Sequence, residues 1–162
     1  MPKTSSGPIF VVQKHNAGRL HYDFRLEVAG TLKSWAIPKG PSLDPADKRL
    51  AVMVEDHSLG YADFEGNLPE GTYGAGEVIV WDTGQYVPES DMKQGLKGGR
   101  LSFTLKGKKL KGGWTMIRLR RGPKNWLLVK ADDRHADRDK DVLADGRSVL
   151  SKRTIEDLED AA

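Results

Sequence analysis

Cysteine is absent from the 162 residues, which excludes a disulfide framework, a thiolate metal site and a thiol nucleophile, and leaves redox chemistry silent about compartment. Long apolar runs are absent as well. No stretch approaches the roughly 20 residues that span a bilayer, and MPKTSSGP lacks the apolar core of a secretory signal. A cytoplasmic protein with no membrane association is the expectation. Acidic residues are missing between Asp91 and Asp132, an interval that holds 12 basic ones. Unrelieved positive charge repels itself unless a polyanion partners it, so the gap favours nucleic acid over a merely solvated basic surface.

Charge divides along the chain. Residues 1–130 carry 20 Lys+Arg and 13 Asp+Glu, whereas residues 131–162 carry 6 and 10, which together give the net +3. A hydrophobic content of 38% suffices for one core. The pattern is mainly β. Strands are expected at Ile9–Gln13, His21–Val28, Leu32–Ile37, Arg49–Glu55, Glu77–Trp81, Leu101–Lys106, Trp114–Leu119 and Trp126–Lys130. Turns such as Ala29-Gly30, Gly71, Gly74, Gly98-Gly99 and Gly112-Gly113 separate them. Eight short strands with regular turns predict a small closed or nearly closed β-barrel with few short helices. One helix is expected near Asp91–Leu96, and Thr154 with Asp157 forms a cap for a terminal one. The barrel domain is placed at residues 1–150, including a charged, exposed loop near 131–146. A short helix or the start of a linker follows at 151–162.

The run KHNAGRLHYDFRLE carries the chemistry. In a strand, alternate side chains point to opposite faces, so Tyr22, Phe24, Leu26 and Val28 share the buried face. His21, Asp23, Arg25 and Glu27 share the other. With His15 on the loop leading into this strand, two imidazoles and a carboxylate can surround a divalent ion such as Mn²⁺, Fe²⁺ or Zn²⁺. The alternative is a set of hydrogen-bonded polar groups without a metal. Arg25 on the same face calls for an anion between it and a metal, and phosphate is the natural one. Lys39 in its Pro-Lys-Gly-Pro turn, and Arg49 on a polar parity running through Glu55 to His57, form a second cluster with Tyr61. His57 is open to three roles: ligand, general acid or phosphate contact.

In order, FVVQKH, LHYDFRLE, SWAIPKGPS, KRLAV, VEDH, FEG-x-x-P-x-G-x-YG-x-G and VIVWD-x-G resemble the 3′-phosphoesterase domain of bacterial ATP-dependent DNA ligase D and its freestanding relatives. SVLSKRT is similar too. The resemblance implies a small β-barrel and a Mn²⁺-dependent enzyme, with Zn²⁺ or Co²⁺ as substitutes, that heals DNA 3′ ends in non-homologous end joining. It implies removal of a 3′-terminal ribonucleotide from a primer-template by phosphodiesterase action, then of the resulting 3′-phosphate. Metal ligands then map to His15, His21 and Asp23. Catalytic and phosphate-site residues map to Arg25, Lys39, Arg49, His57 and Tyr61, and Gln13 and Glu55 line the same pocket. Ligase and polymerase domains are the implied partners, in nucleoid-associated repair.

Two other classes fit some of the same letters. His21, Asp23 and His57 match a facial triad of a non-haem iron oxygenase. The basic stretch alone fits a non-catalytic module that binds DNA ends.

Overall fold

The alternation of apolar and polar residues resolves into antiparallel strands in a computed structural model that describes residues 7–69 and 75–161. The strands are β1 (Ile9–Asn16), β2 (Leu20–Val28), β3 (Thr31–Ile37), β4 (Arg49–His57), β5 (Gly66–Leu68), β6 (Gly76–Pro88), β7 (Arg100–Lys106), β8 (Lys111–Arg118) and β9 (Asn125–Lys130). Helices α1 (Met92–Gly98) and α2 (Ile155–Ala161) and two 3₁₀ turns, Leu59–Asp63 and Val142–Ala144, complete the described residues. Gly71, Gly74 and the centre of the FEG-x-x-P-x-G-x-YG-x-G motif lie outside them.

Eight strands close the expected barrel in the order β1-β2-β3-β4-β9-β8-β7-β6, with β6 returning to β1. The short β5 pairs with the start of β6, on the side where β7 pairs with its end. Closure leaves the barrel without the unpaired edges that favour aggregation. Expected strands are all present, and several run further than the local pattern indicates. The expected strand Glu77–Trp81 stops short of Asp82-Thr83-Gly84, yet β6 continues through it. The Asp82 carboxylate is buried and accepts from the backbone N–H groups of Lys108 (2.9 Å), Lys109 (3.2 Å) and Leu110 (2.8 Å), and at Gly84 a Cβ would collide with the Lys106 carbonyl.

The core face of β2 is the expected one: Tyr22, Phe24, Leu26 and Val28 join Phe10, Val12, Trp35, Trp81, Trp114 and Trp126 inside the barrel. Phe24 stacks on Phe103 at 5.9 Å and Trp35 meets Trp126 edge-on at 5.8 Å, geometries that suit aromatic quadrupoles. The opposite face is not solvated. Val11, Leu32, Val80 and Val149 form a second apolar cluster there, and Val149 N–H donates to the Val80 carbonyl at 3.0 Å. The charged segment 131–146 is anchored rather than free: Val142 is buried, Trp81 Nε1 donates to the Asp145 carbonyl at 2.7 Å, and Asp137 N–H to the Leu43 carbonyl at 3.0 Å. Thr154 and Asp157 form a reciprocal capping box at α2, with bonds of 2.9 and 3.1 Å. Helix α2 then buries Ile155 and Leu158 against Ile79.

Candidate active site

Two hairpins fix the register of the site. Ala29 and Gly30 both have positive φ (54° and 82°), as the two-residue turn that matches strand twist requires, so Val28 pairs with Thr31 and Arg25 with Ser34. On the other side of β2, His15 pairs directly with His21, and Gln13 with Asp23. His15 therefore lies within β1 rather than on a loop. Pairing with β2 on one flank and β6 on the other carries the strand through the polar residues Lys14 to Asn16.

His15, His21 and Asp23 are brought together, each offering one ligand atom within 4.8 Å of the others. His15 Nδ1 lies 3.3 Å from Asp23 Oδ2 and His21 Nε2 lies 3.1 Å from Asp23 Oδ1. Ligands 2.1 Å from a shared ion would be about 3.0–3.4 Å apart in octahedral or tetrahedral geometry, so the spacing fits a divalent metal with nitrogen and oxygen donors. His21 Nδ1 lies 3.2 Å from the Arg19 carbonyl. Donation there leaves Nε2 facing Asp23: as an imidazolium the ring donates from Nε2 to the carboxylate, and as a neutral ring it would offer the Nε2 lone pair to an ion, with the carbonyl as the usual outer-shell support of a metal-binding imidazole. Burial works against ionised Asp23, but the hydrogen bonds of His15 and His21 and the charge of Arg25 outweigh it. The carboxyl is held far below the usual range.

Arg25 is the next layer, 3% exposed. Its Nε donates to Gln13 Oε1 at 2.7 Å and Nη1 to Ser34 Oγ at 2.8 Å. Nη1 also points at His57 Nδ1, 3.1 Å away, while Nη2 reaches Asp23 Oδ2 at 3.5 Å. A guanidinium only donates, so His57 Nδ1 accepts and the ring carries its proton on Nε2. Burial, then the charge of Arg25, push the His57 pKa below its ordinary value. Tyr61 packs between Arg25 (5.1 Å), His57 (4.7 Å) and Phe64 (5.2 Å). Gln13 Nε2 secures this turn by donating to the Tyr61 and Phe64 carbonyls at 3.0 and 3.3 Å.

The Lys39, Arg49 and Glu55 side chains make no hydrogen bond or ion pair to these residues. Arg49 does not share a face with His57: opposite Leu32 and Ser34 the β3–β4 register shifts, which moves His57 onto the face of Val54 and Ser34. Arg49 keeps the inward parity of Ala51. Its Nε is buried without a partner, and Nη2 is 3.7 Å from Asp47. Lys39 is exposed on the turn after β3 and makes no hydrogen bond or ion pair to a described residue. Glu55 is exposed, and only its carbonyl approaches His57 Nδ1, at 3.2 Å. Nor does a His21, Asp23 and His57 triad assemble, because the Arg25 guanidinium stands between Asp23 and His57. Ser34 and Glu65 were not legible as site residues. Glu65 accepts from Val80 N–H at 2.7 Å and from the Ser148 hydroxyl, tying the Tyr61 turn to β6 and the C-terminal segment. Ser34 could be found by counting back from the Ala29-Gly30 turn, which pairs it with Arg25.

A closed antiparallel barrel with two imidazoles, a carboxylate and a caged guanidinium on its wall defines a site suited to an anionic ester. The chain belongs to the DNA Ligase D 3′-phosphoesterase domain family, whose model matches residues 13–118. It is 60% identical over 160 residues to the multifunctional non-homologous end joining protein LigD of Pseudomonas aeruginosa, covering 94% of this chain and 19% of that protein. Similarity to the LigD of Mycolicibacterium smegmatis is 41% over 147 residues (87% and 19%). For the non-homologous end joining DNA repair protein LigD of Mycobacterium tuberculosis it is 45% over 117 residues (72% and 15%). The chain thus spans about a fifth or less of the length of these relatives.

Proposed function

We propose that this chain is a divalent-metal-dependent 3′-phosphoesterase of DNA ends. It removes a 3′-terminal ribonucleotide by phosphodiesterase action and then the remaining 3′-phosphate, in non-homologous end joining and in concert with ligase and polymerase activities. The observation that supports this best is the contact of a compact His15, His21 and Asp23 ligand set with a buried guanidinium. A metal ligand set alone fits many hydrolases, and a buried arginine alone fits many anion sites; together they suit a phosphate held between two positive centres.

His15, His21 and Asp23 are the residues that would hold the ion; the family resemblance implies Mn²⁺, and the nitrogen-and-oxygen set also suits Zn²⁺ or Co²⁺. Such an ion supplies a Lewis acid for a non-bridging oxygen and a water of lowered pKa. Arg25 has five N–H donors, and one hydrogen on Nη2 is left for a phosphate oxygen after its four described contacts. Its charge is fixed in place by Gln13 and Ser34, so it requires little reorganisation as negative charge builds on the phosphoryl oxygens. His57 presents Nε2–H outward and can donate to a phosphate oxygen or protonate the leaving oxygen. Tyr61 fixes the Arg25 and His57 planes and offers its hydroxyl as a further donor. Lys39 and Arg49, which make no side-chain contact with the cluster, would add phosphate contacts to the bound strand.

A labelled DNA strand ending in one ribonucleotide tests the reading. Conversion to a 3′-phosphate and then a 3′-hydroxyl with Mn²⁺ is the expected result, and binding without processing would leave only an end-binding module.

A further inference from the structure

We propose that an open groove at the barrel rim, between the β7–β8 hairpin tip and the C-terminal segment, binds the phosphate backbone of a nucleic-acid strand whose 3′ end reaches the His15, His21 and Asp23 cluster. The proposal rests on reading that cluster as a 3′-end phosphoesterase, and extends it to the path of the strand.

The groove has a volume of about 720 Å³ and is lined by Lys108, Lys109, Lys140 and Arg147, with Asp141 and Asp145 among them. Its two walls are built, not incidental. Fully buried Asp82 holds the hairpin tip through three backbone N–H groups. A lone buried carboxylate is expensive unless it is satisfied in this way, and here its product is a rigid tip that displays Lys108. Lys109 ties the tip to the opposite wall, its Nζ donating to the carbonyls of Asp145 (3.1 Å) and Arg147 (2.6 Å) while lying 4.5 Å over the Trp81 ring.

The two acidic groups are already engaged. Asp141 accepts from Leu143 N–H at 3.0 Å, and Asp145 accepts from Arg147 N–H and Nε at 3.2 and 3.3 Å. Two of the cations are not: the Lys108 and Lys140 side chains make no hydrogen bond or ion pair to a described residue, whereas Lys109 is held by two carbonyls and Arg147, paired with Asp145, keeps its side chain 64% exposed. Burial pushes the Lys109 ammonium down to about 8, with Lys14 and Arg147 adding to the effect against Asp145 and Asp82. A bound anion would relieve that crowding.

Continuity with the candidate active site selects a nucleic-acid strand over an acidic peptide. Lys14 reaches the groove, its Nζ 3.2 Å from where a Cβ on Gly146 would stand, and the next residue in β1 is His15. Alternation turns Lys14 inward over Tyr22 (6.0 Å) and His15 outward into the ligand set. With Lys14 on one face of β1 and the His15 ligand set on the other, a strand that crosses the rim at Lys14 passes from the groove side of β1 to the cluster side. Two other members of the basic run are committed to structure: Lys130 is buried on Asp133, and Arg118 donates to the Leu96 and Lys97 carbonyls at 3.1 and 3.0 Å.

The test is the salt dependence of binding of a fluorescein-labelled 12-nucleotide DNA strand with a 3′-phosphate, measured by anisotropy in EDTA. Wild type is compared with Lys108→Ala/Lys140→Ala, and thermal melting confirms that the variant is folded. Removing two phosphate contacts should lower the slope of log K against log[salt] by about 1.4 and weaken binding at low salt. An unchanged slope and affinity would overturn the proposal, even if a polyglutamate chain bound the groove instead. The functional reading fails separately, if the wild type with Mn²⁺ leaves the same strand's 3′-phosphate intact.

Discussion

Arg25 Nη1 lies 3.1 Å from His57 Nδ1, so a permanent donor sets the tautomer of the imidazole beside it. The same guanidinium spans from Gln13 to Asp23, which makes it the joint between the ligand cluster and the His57–Tyr61 pair. Arg25→Lys keeps the charge but loses the planar fork. Release of 3′-phosphate should fall about 10²–10³-fold with Mn²⁺ binding retained. Turnover near the wild-type level would mean that the fork is dispensable.

The His57 ring should titrate below its ordinary value. Burial and Arg25 disfavour the imidazolium, against the weaker pull of the Glu55 carbonyl and the Asp23 and Glu55 charges. Because the folded value lies below the unfolded one, the contribution of this group to stability is complete above pH about 6.5 and is lost as pH falls through the folded value. An imidazole NMR titration reads it directly; a midpoint above 6.5 would contradict the Arg25 contact.

Lys130, with a side chain 0% exposed, depends on Asp133 at 2.7 Å. Burial raises the Asp133 carboxyl, but the Lys130 ammonium and the Gly113 and His135 N–H groups hold it down to about 2. Stability from this group is therefore full above pH about 4 and lost as pH falls towards 2. Asp133→Asn leaves the ammonium with two carbonyls, at 3.0 and 3.1 Å. A loss of about 1–3 kcal/mol is expected, seen as a lower melting temperature.

Gly76 sits at φ 136°, and a Cβ there would fall on the Asn16 carbonyl oxygen. Asn16 follows His15, and Gly76 opens the strand that closes the barrel on β1. Gly76→Ala should therefore weaken Mn²⁺ binding as well as lower the melting temperature. Unchanged Mn²⁺ affinity would show that the ligand set tolerates displacement of this strand end.

Much of this architecture was legible because one device repeats. Alternation placed Tyr22 and Phe24 inside and Asp23 and Arg25 on the other face, and the Ala29-Gly30 turn separated β2 from β3. What local pattern could not carry was irregular register. The shift opposite Leu32 and Ser34 turns His57 away from the face of Arg49, and no property of the residues in β4 announces it. Long-range closure was equally hidden: β6 runs through Gly84 where the Lys106 carbonyl of β7 packs against it and Asp82 of β6 holds the Lys108 N–H of the next turn. The apolar cluster on the outer face is hidden in the same way, because Val149 packs there with Val11 and Leu32 from more than a hundred residues away in the chain.

The most direct test is hydrolysis of a DNA strand bearing a 3′-phosphate, after removal of metal with EDTA and again after addition of Mn²⁺, in wild type and Asp23→Ala. Loss of turnover in EDTA, its return with Mn²⁺ in the wild type and its absence throughout in the variant are the expected results. Equal turnover with and without metal, or a fully active Asp23→Ala, would contradict the account.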